Sequence, residues 1–172
     1  MTDKEFLKRV TNGEVDVLQI LLNALTESGA DYCVIGGLAV NAYVEPVISL
    51  DLDIVIAARD VEGVCAALAR EFKVERSAHS VNLSSTKSKL RIQLQTDPRY
   101  QTFTRNATVR TVLGYQMKVA SLEDVLQGKI WACLDEQRRP SKRQKDLADI
   151  LRLVEAHPEF EAKLPDSIRA KL

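Results

Sequence analysis

The sequence has few of the residues that build soft-metal or triad sites. Its three cysteines, Cys33, Cys65 and Cys133, lie far apart in the chain and show no metal-ligand spacing. The two histidines, His79 and His157, are isolated from one another and from any nucleophile pattern. We therefore assign the histidines no chemistry and predict that the cysteines are buried free thiols of a reducing compartment.

The sequence also lacks long apolar runs and any excess of one charge. No segment approaches transmembrane length, and the first residues, MTDKEFLKRV, lack the apolar core of a signal peptide, so we expect a cytoplasmic protein without a membrane partner. Formal net charge is zero, which argues against non-specific coating of nucleic acid and restricts any polynucleotide contact to a local patch. A chain of 172 residues suffices for one compact domain, or for a small α/β core with a helical appendage.

What the sequence does contain is a pair of acids on one predicted strand. Asp51 and Asp53 are separated by Leu52 and followed by apolar residues. Because strand side chains alternate between faces, both carboxylates should point one way while Leu52 and Ile54 point into the protein. Two carboxylates at one point repel each other unless a cation lies between them, and Mg²⁺ prefers such oxygen ligands. The pair therefore predicts a site for one or two Mg²⁺ ions.

Two glycines follow the preceding predicted strand, Cys33 to Ile35. Gly36 and Gly37 have no Cβ atoms, so their backbone can pass close to a ligand. The predicted short helix from Leu38 to Tyr43 would turn its N-terminal amides toward phosphate. Metal and phosphate are thus expected to meet at this corner.

The order Gly-Gly, a connection of about a dozen residues, then Asp-Leu-Asp-Ile resembles the signature of the nucleotidyltransferase fold. Within that fold the chain is most similar to the AbiEii toxin type and to minimal nucleotidyltransferases. The resemblance implies an α/β (α+β) fold with a mixed β-sheet, flanking helices and a C-terminal helical bundle. We expect a core with an N-terminal helix over residues 1–120 and a helical region packed on it over residues 121–172. A coincidental surface DxD beside a turn is the alternative.

Two positions depart from the pattern that the resemblance implies. Relatives often carry a Ser or Thr near Ser49 with an Arg two residues earlier, where this chain has Val47. Ser49 should share the face of Asp51, and a nucleotide-binding role and a plain strand-edge role are both open. A third carboxylate is expected on a later strand, where this chain has Gln93, which cannot act as a general base. Asp97 is the nearest substitute, but before Pro98 it fits a turn residue better.

The C-terminal half carries a second part of the resemblance. Its components are Ser121 to Asp124, Gly128-Lys129, Arg138-Arg139 and Lys145 to Asp149. In resembling proteins the mid-helix lysine reaches the triphosphate and a later aspartate orients it, which implies these roles for Lys129 and Asp146. The alternative for Lys129 is a solvated helix lysine.

A basic run lies between the last two long helices, and its cations are Arg138, Arg139, Lys142, Arg143 and Lys145. Arg138, Arg139, Lys142 and Arg143 could grip the phosphates of an RNA acceptor such as tRNA. An exposed, merely soluble loop explains the run equally well.

The expected reaction is Mg²⁺-dependent transfer of a nucleoside monophosphate from an NTP to a hydroxyl, with tRNA or protein as acceptor and an antitoxin as a further partner. The alternative is a catalytically degenerate protein that binds nucleotide or a partner without turnover, which Gln93 and Val47 favour. A DxD glycosyltransferase is a third reading, but it leaves Gly36 and Gly37 unexplained.

Apolar periodicity and turn residues predict the remaining elements. The expected helices cover 3–28 with a break at Asn12-Gly13, 59–72, 121–137 and 141–156, with a short one in the tail. The expected strands cover 80–83, 89–95 and 107–113, followed by a hairpin at Gly114-Tyr115 and a strand over 117–120.

Overall fold

The computed structural model describes residues 1–11, 13 and 15–172. Within these residues, seven α-helices have the bounds α1 Asp3–Val10, α2 Val17–Glu27, α3 Gly36–Val40, α4 Val61–Leu68, α5 Leu122–Leu134, α6 Pro140–Ala156 and α7 Asp166–Arg169. The same residues include 3-10 helices over Ala58–Asp60, Pro98–Asn106 and Pro158–Lys163. The predicted break at Asn12-Gly13 falls partly on Asn12, which is outside the described residues.

In the part of the chain that the structure describes, one mixed sheet contains seven strands: β1 Tyr32–Ile35, β2 Asp51–Ile56, β3 Lys73–Arg76, β4 Ser80–Ser85, β5 Ser88–Gln95, β6 Thr108–Val112 and β7 Tyr115–Val119. Their order in space is β3-β4-β5-β2-β1-β7-β6. Strand β2 is antiparallel to β1 and parallel to β5, and β1 is parallel to β7. The fold is therefore the mixed α/β architecture with flanking helices that the sequence predicts.

Burial follows the position of each strand in the sheet. All four residues of β1 are buried, as is typical of a central strand covered on both faces. In β2, Leu52 and Ile54 are fully buried while Asp51 and Asp53 remain partly exposed, so the predicted alternation is confirmed. The acid pair therefore lies on one face of a strand at the centre of the sheet.

Helices cover the sheet and join it in one hydrophobic cluster. Helix α2 contributes Leu18, Leu21, Leu22 and Leu25 to this cluster and contacts α4. Helix α5 packs on α6, and both contact the short helix α3 that follows β1. The C-terminal helices thereby cover the corner where the glycines and the acids meet.

Several boundaries differ from the sequence-based expectation. Strand β3 was not predicted because Val74 is its only apolar residue, and it forms as an exposed edge strand by pairing with β4. The 3-10 helix Pro98–Asn106 was also missed. The hairpin turn lies at Leu113-Gly114, one residue earlier than expected, with positive φ at both positions. The short helix begins at Gly36 rather than Leu38.

The predicted helices over 59–72 and 121–137 are shorter in the structure. The first becomes a 3-10 turn followed by α4, and α5 ends at Leu134 because Asp135 has extended backbone angles. Helix α6 starts with Pro140 at its first position, where a missing N–H costs nothing. Among the described residues, no helix is both long and apolar enough to cross a bilayer.

Candidate active site

Gly36 lies directly against the carboxylate of Asp53. The antiparallel pairing of β1 and β2 aligns Ile35 with Asp53, and the chain turns at Gly36 with φ of +71°. A Cβ atom at Gly36 would lie 2.5 Å from Asp53 Oδ2, so the Asp53 carboxylate would have to shift to admit any side chain there. At Gly37 a Cβ atom would be 3.8 Å from Asp149 Oδ2, an ordinary contact, so only Gly36 is required by space.

The expected phosphate site at a helix N-terminus is weaker than the sequence suggested. Helix α3 has five residues, too few for the amides and dipole of a longer helix to add up. The feature that the structure does show here is the backbone of Gly36, without a side chain, next to the Asp53 carboxylate.

Asp51 is held by two cations. Its Oδ1 accepts from Arg91 Nε at 2.7 Å and its Oδ2 accepts from Lys142 Nζ at 2.7 Å. Partial burial favours the protonated form, but the two hydrogen bonds and charges outweigh it and lower the pKa of Asp51 to about 2. Asp51 is therefore ionised at neutral pH.

Asp53 has the opposite electrostatic environment. The surrounding protein shields its carboxylate from water and raises its pKa, and Asp51 acts in the same direction. Lys129, Arg138 and Lys142 oppose that rise. A further cation beside Asp53 would keep it charged.

The two acids fit Mg²⁺ by their chemistry. Both offer hard oxygen ligands on one face, and both line the open cleft in front of β2. No cluster of three or more His, Cys, Asp or Glu residues suited to a metal occurs within residues 1–11, 13 and 15–172. Mg²⁺ is commonly bound by one or two carboxylates, with water and substrate phosphates completing its shell, so two acids suffice.

Strand β5 places the amide side chain of Gln93 where a third carboxylate was expected. In the parallel register Arg91 aligns with Asp51 and Gln93 aligns with Asp53. Gln93 Nε2 donates weakly to Asn82 Oδ1 at 3.4 Å. Asp97 caps the following 3-10 helix by accepting from Arg99 N at 2.9 Å, which is the turn role expected for it.

Lys129 is not a solvated helix lysine. It is 6% exposed, and its Nζ lies 3.0 Å from Asp146 Oδ1 and 2.8 Å from Asp149 Oδ2. Burial alone would lower the pKa of Lys129, but the two carboxylates outweigh burial and raise it. Arg138 also contacts Asp146, at 2.6 Å, and Arg152 contacts Asp149, at 2.9 Å.

The basic run does not form a single outward-facing patch. Arg138 and Lys142 turn toward the acids, and Arg143 donates to the carbonyl of Cys133 at 2.9 Å. Arg139 is exposed. The structure thus divides the run between the site and the surface.

Ser49 is buried and closes the start of β2. Its Oγ accepts from Asp51 N at 3.2 Å, and Lys145 Nζ donates to the same Oγ at 3.3 Å. The hydroxyl therefore already stabilises the turn that presents Asp51.

An open cleft of about 540 Å³ joins these groups. The sheet side supplies Gly36, Asp51, Asp53, Arg91 and Gln93, and the helical side supplies Gly128, Lys129, Arg138, Lys142 and Asp146. Carboxylates and cations thus face one volume from both halves of the chain.

Arg91 and Asp149 also belong to this site through their contacts with Asp51 and Lys129, although the sequence pattern assigns neither a role. Arg91 lies two residues before Gln93, so strand alternation places both on one face. Asp149 lies one helical turn after Asp146, so the two acids share a side of α6. Both signals were present in the spacing.

Comparison with solved structures places the fold among nucleotidyltransferases. The antibiotic-resistance factor ANT(2")-Ia in complex with adenylyl-2"-tobramycin aligns at a TM-score of 0.62 and 12% identity, covering 90% of this chain and 94% of that chain. The lincosamide antibiotic adenylyltransferase LnuA aligns at 0.58 and 13%, covering 83% and 99%. A putative nucleotidyltransferase from Thermotoga maritima aligns at 0.54 and 15%, covering 76% and 86%. At such identities the likeness shows the fold alone.

Comparison with curated proteins found no match. Residues 20–172, however, match the profile of the family described as "Nucleotidyl transferase AbiEii toxin, Type IV TA system". That span includes both glycines, both site acids, Lys129 and α6, and it covers most of the chain. The chain therefore belongs to the AbiEii nucleotidyltransferase toxin family.

Proposed function

We propose that this protein is a Mg²⁺-dependent enzyme that transfers a nucleoside monophosphate from an NTP to an acceptor hydroxyl. The observation that carries the proposal is the approach of Gly36 to Asp53, with Asp51 on the same strand face and an open cleft in front. Family membership supports the reaction class. The identity of the metal ion, the identity of the acceptor and the roles of the individual residues are proposed here as well.

Asp51 and Asp53 would hold the metal, which supplies charge neutralisation at the phosphates when bound. The backbone at Gly36, which lines the cleft, would admit the triphosphate, and Gly37 and Ser49 would add nucleotide contacts next to it. Lys129 has three donors, and its two carboxylate partners leave one for a phosphate oxygen. Asp146 positions that ammonium group, so its role is to orient Lys129.

In the proposed reaction the acceptor oxygen forms a bond to the α-phosphorus, and the bond from that phosphorus to the bridging oxygen of the β-phosphate breaks. Pyrophosphate leaves with the bonding electron pair, and the hydroxyl proton is released to solvent. Gln93 cannot receive this proton, although it stands beside Asp53. We therefore expect slow turnover, since a positioned base typically contributes about a hundred- to ten-thousandfold.

We propose RNA, with tRNA as the first candidate, as the acceptor, and protein as the alternative. Arg138 and Lys142 line the cleft, and the exposed Arg139 and half-buried Arg143 neighbour them in the chain, which supports phosphate contacts near the cleft. The family description names a toxin, so we also propose that an antitoxin opposes the activity in the cell. Three buried free thiols suit the cytoplasm.

The test incubates purified protein with Mg²⁺ and each α-labelled NTP, with total RNA or with the protein itself as acceptor. We expect label on RNA or protein that Asp51→Ala and Asp53→Asn abolish. Asp97→Asn is the matched control, because it removes the same charge from an acid that caps a turn. The proposal is wrong if no label moves, or if Asp51→Ala changes nothing.

A second candidate is a catalytically degenerate nucleotide-binding protein, which the amide of Gln93 beside Asp53 favours. Calorimetry with a Mg²⁺–NTP complex separates the two. Binding without turnover supports the degenerate protein, and turnover supports the enzyme.

A further inference from the structure

Both carboxylate oxygens of Asp51 already have cationic partners. Arg91 Nε and Lys142 Nζ each lie 2.7 Å from a different oxygen of this carboxylate. A divalent ion that approaches either oxygen therefore competes with a positive charge at hydrogen-bond distance. Because each cation repels an approaching divalent ion, metal binding at Asp51 is favoured when one of these two contacts is given up.

Lys142 is the cation that can leave more easily. It lies in the first turn of α6, and a flexible four-carbon stem carries its charge. Arg91 is the more exposed of the two side chains, 65% against 38%, but the β2–β5 register holds it directly beside Asp51. Its side chain borders the cleft, so a swing of the ammonium group disturbs no core packing. Arg91, on β5 beside Asp51, can remain on Oδ1 and keep Oδ2 turned toward the cleft.

A released Lys142 would stay within reach of the same cleft. Arg138 is held by Asp146, and Lys129 is held between Asp146 and Asp149 with one donor left for a phosphate oxygen. Lys142 differs from both because its contact with Asp51 can be exchanged as a whole for a contact with phosphate. Polyphosphate oxygens that arrive with a divalent ion would provide the replacement partner for its ammonium group.

We propose, on the basis of the proposed function, that Lys142 is an exchangeable counter-ion: it neutralises Asp51 until a divalent ion arrives, then binds the polyphosphate of the incoming nucleotide. The exchange makes metal and nucleotide binding mutually dependent. Metal alone must displace Lys142 without compensation, whereas metal with polyphosphate gives Lys142 a new partner.

This inference predicts effects of opposite sign in one variant. Lys142→Met keeps the length of the side chain and removes its charge, so Mn²⁺ alone should bind about two- to fivefold more tightly, the factor that one ordinary ion pair represents. Inorganic tripolyphosphate with Mn²⁺ should bind about two- to fivefold more weakly because a charge-assisted contact is lost. Lys142→Arg should stay close to the wild type in both measurements.

Mn²⁺ binding is measured by electron paramagnetic resonance of the free ion, and tripolyphosphate binding by calorimetry. Lys145→Met is the matched control, because Lys145 lies one turn further along α6 and contacts Ser49 instead of a carboxylate. It reports the general effect of removing one nearby charge. Circular dichroism melts verify that each variant is folded.

The inference is overturned if Lys142→Met and Lys145→Met change Mn²⁺ affinity equally, or if tripolyphosphate affinity does not fall in Lys142→Met. Asp53→Asn tests where the ion binds. If this variant loses Mn²⁺ binding, the proposed metal site is supported even when the Lys142 result is negative. If neither the wild type nor Lys142→Met binds Mn²⁺, the proposed function and this inference fail together.

Discussion

At Gly36 the backbone conformation directly determines the position of a site residue, the carboxylate of Asp53. The chain leaves β1 there in a left-handed conformation, with φ of +71°, and passes over the Asp53 carboxylate. A side chain would add backbone strain and push the acid away at the same time. The absence of a Cβ atom is thus part of the site.

We expect Gly36→Ala to lower the free energy of unfolding by about 1–3 kcal/mol, the cost of left-handed strain at a non-glycine residue. Nucleotidyl transfer should fall more than stability alone explains, because Asp53 must shift from a Cβ atom that would lie 2.5 Å away. Urea titration and labelled-NTP transfer at a temperature where the variant is folded measure the two effects.

Gly63 provides the control for this substitution. It lies within α4, and a Cβ atom there would meet nothing within 4 Å. Gly63→Ala should stabilise the protein by about 0.4–1 kcal/mol through the unfolded chain and leave transfer unchanged. If Gly36→Ala proved as harmless as Gly63→Ala, the close approach at Gly36 would have no functional weight.

Gln93 offers a gain-of-function test at the same scale. Gln93→Glu is isosteric and places a carboxylate beside Asp53 in the β2–β5 register. We expect transfer at saturating Mg²⁺ to accelerate about tenfold or more, because the new group can accept the hydroxyl proton. Single-turnover rates measure the chemical step directly.

Gln95→Glu adds the same charge two residues further along β5, where the register partner is Val55. It should leave the rate unchanged. An equal gain in both variants would indicate a general charge effect, and no gain in Gln93→Glu would mean that the proton leaves by another route.

At the scale of elements, the local hydrophobic pattern predicts those strands and helices whose apolar residues recur with the period of a strand or of a helix. The alternation in β2 and the apolar stripe of α6 are local features, so sequence reasoning located both. Strand β3 and the 3-10 helix Pro98–Asn106 carry no such period. They form because pairing with β4 and packing against β1 and β2 stabilise them, which the local sequence does not record.

The same limit applies to the site. The glycines and the paired acids follow from chain order and strand alternation. The contacts of Asp51 with Arg91 and Lys142 depend on the β2–β5 register and on where α6 lies against the sheet. The charges of the basic run alone do not reveal which of its cations contact distant acids, so the sequence shows the run as one loop.

The link between α5 and α6 is a buried cluster of charges centred on Lys129. Lys129→Met leaves Asp146 and Asp149 with less compensation in the interior, which typically costs about 3–5 kcal/mol when a buried pair loses one member. We expect a clear fall in the free energy of unfolding and in the thermal midpoint, measured by urea titration and calorimetry.

A double variant tests the electrostatic cause. Adding Asp149→Asn to Lys129→Met removes one uncompensated charge and should restore part of the lost stability. Lys163→Met is the control, because its ion pair with Glu123 is exposed and should contribute about 0–1 kcal/mol. Equal destabilisation by Lys129→Met and Lys163→Met would rule out the buried cluster as the link between the helices.

At the scale of the whole molecule, one hydrophobic cluster joins both halves of the chain. Residues of β1 and β2 belong to the same cluster as residues of α5 and α6. The cleft also takes residues from both halves. We therefore expect residues 1–120 and 121–172 to unfold together.

The three cysteines report on this cooperativity. Cys33 in β1, Cys65 in α4 and Cys133 in α5 are buried, and burial raises the pKa of each thiol, for Cys33 to about 12. Since the thiolate is the reactive form, we expect slow alkylation in the native protein and the same urea midpoint of labelling for all three, read by peptide mass spectrometry. Earlier labelling of Cys133 would show that the C-terminal helices melt separately. Cys133→Ala, which should shift the other two midpoints together, checks that the thiols sense one shared transition.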